Sequence, residues 1–416
     1  MFWLMGQDRL RGIHLGNSDR IEKVMEKASQ GKPVVLAFLG GSITQGSLAS
    51  SPEKCYAYLV YQWWREMFPD VEFQYINAGI GGTTSQFGCA RVREDVLAYE
   101  PDFVVVDFTV NDENTELFLE TYESLIRILL SDECEPAVMA LCNVYYDSGK
   151  SAMDQHRRVL EHYGVPYVSI GETVYEDVLC GGMRVEEITS DGLHPNDRGH
   201  RAVADVVCGL LEVVLSGKAG DTGEDRYNES HGDSGKDRNN ESHGGSGLNG
   251  DNEIEVCPIG SIASNPLTSC SYENARRLQN GDSGIVCNGF EIDFRYKNEI
   301  TDVFKHGWSA VRKGASICFE AEALCLAIQY RRTIHQPAPV ALAYVDDDRD
   351  NGKILDGNFN ETWGDSLSIA TLLHHGEAGK HLVTVEIIDG VEEDETPFYL
   401  VSLIQAGIDL KNECEN

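Results

Sequence analysis

Positive charge is scarce in this chain. Its 416 residues carry 34 Lys+Arg against 68 Asp+Glu, a formal net charge of −34. A surface of that sign repels phosphate backbones and anionic headgroups, so neither nucleic acid nor a membrane is expected as a partner. Neutral substrates such as sugars or small esters fit better. Long apolar runs are missing too: nothing approaches the roughly 18 residues of a membrane span. Met1-Phe2-Trp3-Leu4-Met5-Gly6 is apolar too briefly for an export signal. The 12 cysteines form no Cys-x-x-Cys pair. Without export, reduced thiols in a cytoplasmic protein are expected rather than disulfides, and the sequons at Asn228, Asn240 and Asn360 carry no expectation of a glycan. Three motifs are absent as well. There is no Gly-Lys-Ser/Thr phosphate loop, and Gly79-x-Gly81 lacks the third glycine of a dinucleotide loop. Gly40-Gly41-Ser42-Ile43-Thr44 ends in Thr where a Gly-x-Ser-x-Gly elbow needs Gly. No cofactor and no metal site is expected.

What is present is core. Hydrophobic residues make up 42% of a chain long enough for two or three domains. From Asn17 to Leu215, apolar strand-like runs alternate with helical periodicity. Val34–Leu39, Val71–Ile76, Asp102–Phe108, Ala137–Cys142 and Tyr167–Ile170 read as strands. Helices are expected near 19–29, 56–68, 86–97, 116–130, 153–163 and 198–215. Asn17 and Ser18 stand as caps for the first of them. Unbroken apolar strands between helices predict a doubly wound, three-layer α/β domain over residues 1–216.

Composition changes near Ser216. Residues 217–252 are nearly all polar and contain a short repeat, with Asp225–Gly232 returning as Asp237–Gly244, which predicts a disordered linker. His231 and His243, one per repeat, read as spacer rather than as a metal tract. From 253 to 416 helical periodicity vanishes. Short alternating segments at Gly289–Phe294, Ser316–Phe319, Leu324–Tyr330, Val340–Val345, Ser366–Leu372, His381–Ile388 and Phe398–Ile404 predict an antiparallel β-sandwich.

Four loops of the first domain carry candidate chemistry. Ser42 follows a buried strand through two glycines, at the strand end where open α/β sheets bind ligands. It reads as a nucleophile or as a capping serine in a tight turn. A serine hydroxyl needs a base, and His194 is the candidate because an imidazole as a residue type suits proton exchange near neutral pH. Asp191, three residues earlier, has the spacing to hold the imidazole's tautomer. Gly82 and Asn111, at two other strand ends, offer a backbone N–H and a side-chain amide. With the Ser42 N–H they make a three-donor oxyanion hole. Each residue taken singly has a plain structural reading: Asp191 a turn residue, His194 part of a His-Pro turn, Gly81-Gly82 a tight turn, Asn111-Asp112 a helix cap. Asp191, His194 and His200 are also weighed, and set aside, as metal ligands. Together the residue types, chain order and strand-end placement are those of acyl transfer.

The four blocks resemble the SGNH (GDSL-type) hydrolase superfamily over about residues 17–215. Gly40–Thr44 matches the nucleophile block, Asn77–Thr84 the second, Thr109–Asp112 the third, and Asp191-Gly192-Leu193-His194-Pro195 the last. The resemblance implies a flavodoxin-like α/β/α fold, with Ser42, Asp191 and His194 as triad and Ser42, Gly82 and Asn111 as oxyanion donors. Gly41 stands where the family often has Asp, and Thr109 replaces its usual Gly. Both features are similar to bacterial two-domain carbohydrate acetylesterases with a C-terminal β-sandwich, Leu355–Asp365 being the most suggestive piece of the second half. The expected function is therefore a serine esterase acting on O-acetyl sugars in small-molecule or oligosaccharide form. A lipase-like or thioester acylhydrolase and a non-catalytic glycan-binding protein remain alternatives. Trp363 is a candidate for stacking on a sugar ring or an interior residue. Asp346, Asp348 and Asp350 read as an acidic turn rather than a calcium loop. Tyr145, Tyr146 and Asp147 are placed to line the pocket.

Overall fold

The computed structural model describes residues 11–217, 265–361 and 364–408. The expected linker, the export-signal reading and the assignment of Trp363 fall outside them. The first half runs β1 (Ile13–His14), α1 (Asp19–Ser29), β2 (Val34–Gly40), α2 (Ser42–Gln45), α3 (Tyr56–Met67), β3 (Phe73–Gly79), α4 (Ser85–Asp95), β4 (Phe103–Asp107), α5 (Glu116–Leu130), β5 (Ala137–Cys142), α6 (Met153–His162), β6 (Tyr167–Ser169), α7 (Val174–Leu179), α8 (Val185–Ile188) and α9 (Asp197–Leu215).

These strands form one sheet of order β1-β6-β5-β4-β2-β3. The strands β2 to β6 pair in parallel; β1 adds an antiparallel edge that the sequence pattern, at two residues long, did not disclose. The α1, α3 and α9 helices pack on one face, and α4, α5 and α6 on the other. Every residue of β4 is buried, as a strand covered by helices on both sides requires. The Asn17 side chain accepts from the Asp19 N–H at the start of α1, whereas Ser18 Oγ donates to Glu22 instead of capping. Because β2 lies between β3 and β4, the strand order reverses there, and the crevice at its carboxyl end is the place where such sheets bind ligands.

The second half contains β7 (Arg276–Leu278), β8 (Ile285–Asn288), β9 (Glu291–Ile292), β10 (Trp308–Ala310), β11 (Ser316–Ala323), β12 (Cys325–Arg332), β13 (Val340–Val345), β14 (Lys353–Asp356), β15 (Ser366–Leu373), β16 (Gly379–Asp389) and β17 (Phe398–Ala406). They make two antiparallel sheets, β15-β12-β17-β10-β9 with β7 on β17, and β14-β13-β16-β11-β8. The expected strand Gly289–Phe294 shrinks to Glu291–Ile292, because Asp293 turns the chain by accepting from the Arg295 N–H and guanidinium. Asp346 is tied to His381 and to the Leu382 N–H, and Asp348 to Asn351, so the acidic turn is a turn.

The two halves share a hydrophobic core. Residues of α4 and α5 pack with Tyr272, Ala275, Cys325, Ala327, Leu367, Tyr399, Val401 and Ile404. The outer face of the first sandwich sheet is thus covered by the α/β domain, and all nine residues of β17 are buried. Polar contacts seal the joint. Glu123 of α5, itself buried, accepts from the backbone N–H groups of Leu267 and Thr268, and Arg277 pairs with Glu94. Among the described residues the ten cysteines are free thiols, and no helix is long and apolar enough to cross a membrane.

Candidate active site

The parallel sheet sets Ser42 one residue beyond β2, after Gly41, as the first residue of the one-turn helix α2. Glycines leave it room. A Cβ on Gly40 would lie 2.3 Å from Thr44 Oγ1, and one on Gly79 would lie 2.2 Å from the Gln45 nitrogen. Neither position can carry a side chain without moving the turn. The Gly81 N–H donates to Gln45 Oε1 at 2.7 Å, which joins the second loop to α2.

Ser42 Oγ stands 2.8 Å from His194 Nε2, across 152 positions of sequence. His194 Nδ1 stands 2.7 Å from Asp191 Oδ2. The other carboxylate oxygen of Asp191 accepts from the Leu193 and His194 backbone N–H groups and from Thr189 Oγ1. Partial burial raises the Asp191 pKa, but the His194 hydrogen bond and those backbone donors outweigh it and leave the carboxyl below its ordinary value. A charged acceptor fixed from three sides holds the imidazole's Nδ1–H, which leaves Nε2 to take a proton from Ser42.

The three donors expected from the sequence are the Ser42 N–H, the Gly82 N–H and the Asn111 amide. Among the described residues none has an acceptor. Gly82 adopts φ +72°, a left-handed conformation that suits glycine. Asn111 closes a turn at the end of β4 through its N–H to Phe108 O at 3.0 Å. Its carboxamide lies against Gly41, where an added Cβ would be 2.3 Å from Asn111 Oδ1. The glycine that departs from the family's Asp therefore makes space for the amide. Thr109, the other departure, donates its hydroxyl to Asn143 O and accepts from the Ala152 N–H. It ties the third loop to the segment after β5.

The loop after β5 borders the triad, although only part of it faces the crevice. The Tyr146 N–H donates to Gly192 O, and a Cβ on Gly192 would meet Asp147 Oδ2 at 2.9 Å. Tyr145 is half-buried there, while Tyr146 turns into the core. His200 is not with the triad. It accepts from the Tyr56 N–H and donates to Ser47 O, a buried structural role that leaves no ring nitrogen for a metal.

Several supporting residues escaped sequence reasoning. Asp107 is fully buried behind Ser42. Asn143 Nδ2 and Thr44 Oγ1 donate to it, and burial pushes its pKa up to about 6. Asp112, beside Asn111, accepts from the Ser85 N–H and pairs with His156, with both side chains buried. The second domain also reaches the site: the space beside Gly82 is bounded by Ser366 Oγ and Leu367 O of β15. No local pattern signals that contact, since it depends on how two domains dock.

Comparison with known proteins gives four findings. Residues 38–202 match the GDSL-like Lipase/Acylhydrolase family. A solved two-domain esterase active on acetylated mannans, in one case co-crystallized with mannopentaose, is similar over nearly the whole chain. It is 44% identical, covers 96% of this chain and 97% of its own, and superposes with a TM-score of 0.82. The acetylxylan esterase of Geobacillus stearothermophilus is 27% identical over 199 residues, 41% of this chain and 90% of that protein. Thioesterase 1/protease 1/lysophospholipase L1 of Escherichia coli K12 is 25% identical over 191 residues, 44% of this chain and 85% of that protein.

Proposed function

Since this chain belongs to the GDSL-like lipase/acylhydrolase family, we propose that it is a serine esterase removing acetyl groups from mannan-type or related oligosaccharides, with Ser42, His194 and Asp191 as its triad. The carrying observation is the relay Asp191 Oδ2···Nδ1 His194 Nε2···Oγ Ser42, at 2.7 and 2.8 Å. His194 takes the Ser42 proton as Oγ attacks the acetyl carbonyl, and the new imidazolium is stabilised by Asp191. The oxyanion develops among the Ser42 N–H, the Gly82 N–H and the Asn111 amide, each donor worth about 3 kcal/mol of barrier. His194 then protonates the departing sugar hydroxyl. A water molecule, deprotonated by the same imidazole, attacks the acyl-serine and releases acetate.

The substrate class is supported by the likeness, over both domains, to an esterase active on acetylated mannans. It is also supported by the formal charge of −34, which disfavours anionic lipid. We divide the chain into a catalytic domain over 1–216, a linker over 217–252 and an accessory sandwich over 253–416. Free buried thiols such as Cys55, Cys89 and Cys142 support a reducing, cytoplasmic setting. The similarity to a thioesterase and lysophospholipase favours one second reading, hydrolysis of long-chain acyl esters or thioesters. Mass spectrometry of acetylated manno-oligosaccharides before and after incubation tests the first reading. Loss of acetyl groups with the wild type and not with Ser42→Ala is expected. Intact oligosaccharides alongside rapid turnover of long-chain p-nitrophenyl esters overturn it in favour of the second.

A further inference from the structure

Away from the triad, α5 and the turn after β15 meet in a second cluster of chemically capable side chains. Glu120, His374 and His375 bring one ligand atom each to within 4.8 Å of one another. Glu120 belongs to the α/β domain, and the two histidines follow the last residue of β15 in the sandwich. Glu120 Oε2 is 2.7 Å from His375 Nε2 and 3.9 Å from His374 Nε2.

The outer atoms of the cluster are held and the inner ones converge. Glu120 Oε1 accepts from Ser269 Oγ at 2.8 Å and from the Ser271 N–H at 2.9 Å. His374 Nδ1 contacts the Tyr272 hydroxyl at 3.2 Å, with the Cys325 thiol behind it at 3.9 Å. When Nδ1 donates to the tyrosine oxygen, His374 Nε2 turns its lone pair on the carboxylate. This is the pattern of metal-ligating residues, whose far atoms are oriented by neighbouring hydrogen bonds. The Glu120 side chain is 3% exposed, while those of His374 and His375 are 30% and 40% exposed. One side of the cluster is thus open for a water ligand.

From this convergence we infer that Glu120, His374 and His375 form a divalent transition-metal site, best suited to Zn²⁺, that staples the sandwich to the α/β domain. Two imidazoles with one carboxylate select zinc-like ions over Ca²⁺ or Mg²⁺, which prefer all-oxygen shells. Tetrahedral zinc with ~2.0–2.2 Å bonds spaces its ligands roughly 3.3 Å apart. The ion replaces the direct Glu120–His375 hydrogen bond, with the pair opening and His374 moving in. The staple grips one end of β15. The other end of that strand lies beside Gly82, and Thr371 between them bonds Gln86 of α4. The site adds to the esterase reading without depending on it.

The test uses the full chain, stripped with a chelator and titrated with Zn²⁺ by calorimetry, with a thermal melt of each sample. One equivalent is expected to bind and to raise the melting midpoint. Binding is expected to weaken by at least ~10-fold in His374→Ala and in His375→Ala. Circular dichroism checks that each variant is folded. The doubly substituted H374A/H375A protein, with the catalytic His194 intact, separates this site from the triad. Equal Zn²⁺ binding by the double variant, or no Zn²⁺ binding and no shift in the wild type, overturns the proposal.

Discussion

The Asn111 carboxamide occupies the space that a side chain at residue 41 would need, with only 2.3 Å between Asn111 Oδ1 and a Cβ built on Gly41. The two residues are therefore a matched pair: a glycine in the nucleophile block and an asparagine in the third block, packed face to face beside Ser42. Replacing Gly41 by Asp displaces the amide. Gly41→Asp is expected to lower kcat by about 10²-fold, the loss seen when one oxyanion donor is removed, with a smaller effect on KM. Steady-state kinetics on p-nitrophenyl acetate measures it. Combining Gly41→Asp with Asn111→Ala should cost little more than either change alone, because both remove the same donor.

The relay itself predicts a graded series. Ser42→Ala and His194→Ala are expected to reduce kcat by roughly 10⁴-fold or more, and Asp191→Asn by a similar order, because the amide favours the wrong imidazole tautomer. Circular dichroism should be unchanged in all three. Turnover by Ser42→Ala within tenfold of wild type, on a rough scale where the triad supplies most of the rate, contradicts Ser42 as nucleophile.

Asp107 gives stability a pH dependence of definite sign. Burial raises its folded pKa to about 6 from an ordinary 3.8. Between those values the folded state holds a proton that the unfolded state has lost. The contribution of Asp107 is therefore complete below the lower value and falls away as pH rises through the upper one. The difference is on the order of 3 kcal/mol. Asp107→Asn should flatten that part of the profile. Urea midpoints of both proteins across pH 4–7, read on a ~1 kcal/mol scale, check it.

Gly82 bears a fourth prediction. Its φ of +72° disfavours a side chain, and an added Cβ would press on Ser366 Oγ at 3.3 Å. Gly82→Ala is expected to cost roughly 1–2 kcal/mol of local strain and to lower kcat, since the strained loop shifts its own N–H. Kinetics and a thermal melt read the two effects separately.

The joint between the domains bears a fifth. The sandwich covers the apolar faces of α4 and α5 and bounds the Gly82 loop. A chain cut after residue 217 is expected to bind a hydrophobic dye and to lose activity even on p-nitrophenyl acetate, a substrate too small to need a sugar-binding surface. Undiminished turnover by the soluble fragment would show that the sandwich is dispensable for the site's geometry.

Much of this protein was legible in its sequence because the signals were local. Unbroken apolar runs such as Phe103-Val104-Val105-Val106 between amphipathic helices announce a covered parallel sheet, since burial on both faces leaves no polar alternation. The Gly-Gly-Ser turn, the Gly-rich loop and Asn111 each sit at a strand end, and a parallel sheet brings strand ends together whatever the details of packing; the Asp-x-x-His pair, in the loop between α8 and α9, was legible through its spacing instead. Other features were decided only by the tertiary structure. Glu120 and Glu123 lie on a helix where sequence reads solvated charge, yet both are buried under backbone donors from residues 267, 268 and 271. Asp112 reads as a cap residue and Asp107 as one position of a strand, and only the fold buries them with His156 and Asn143. Gly41 reads as a missing aspartate until Asn111 is seen against it. The nearness of Ser366 to Gly82 and of two histidines to Glu120 depends on how one domain docks on the other. Docking is set by the shape and pairing of whole surfaces, which no stretch of neighbouring residues encodes.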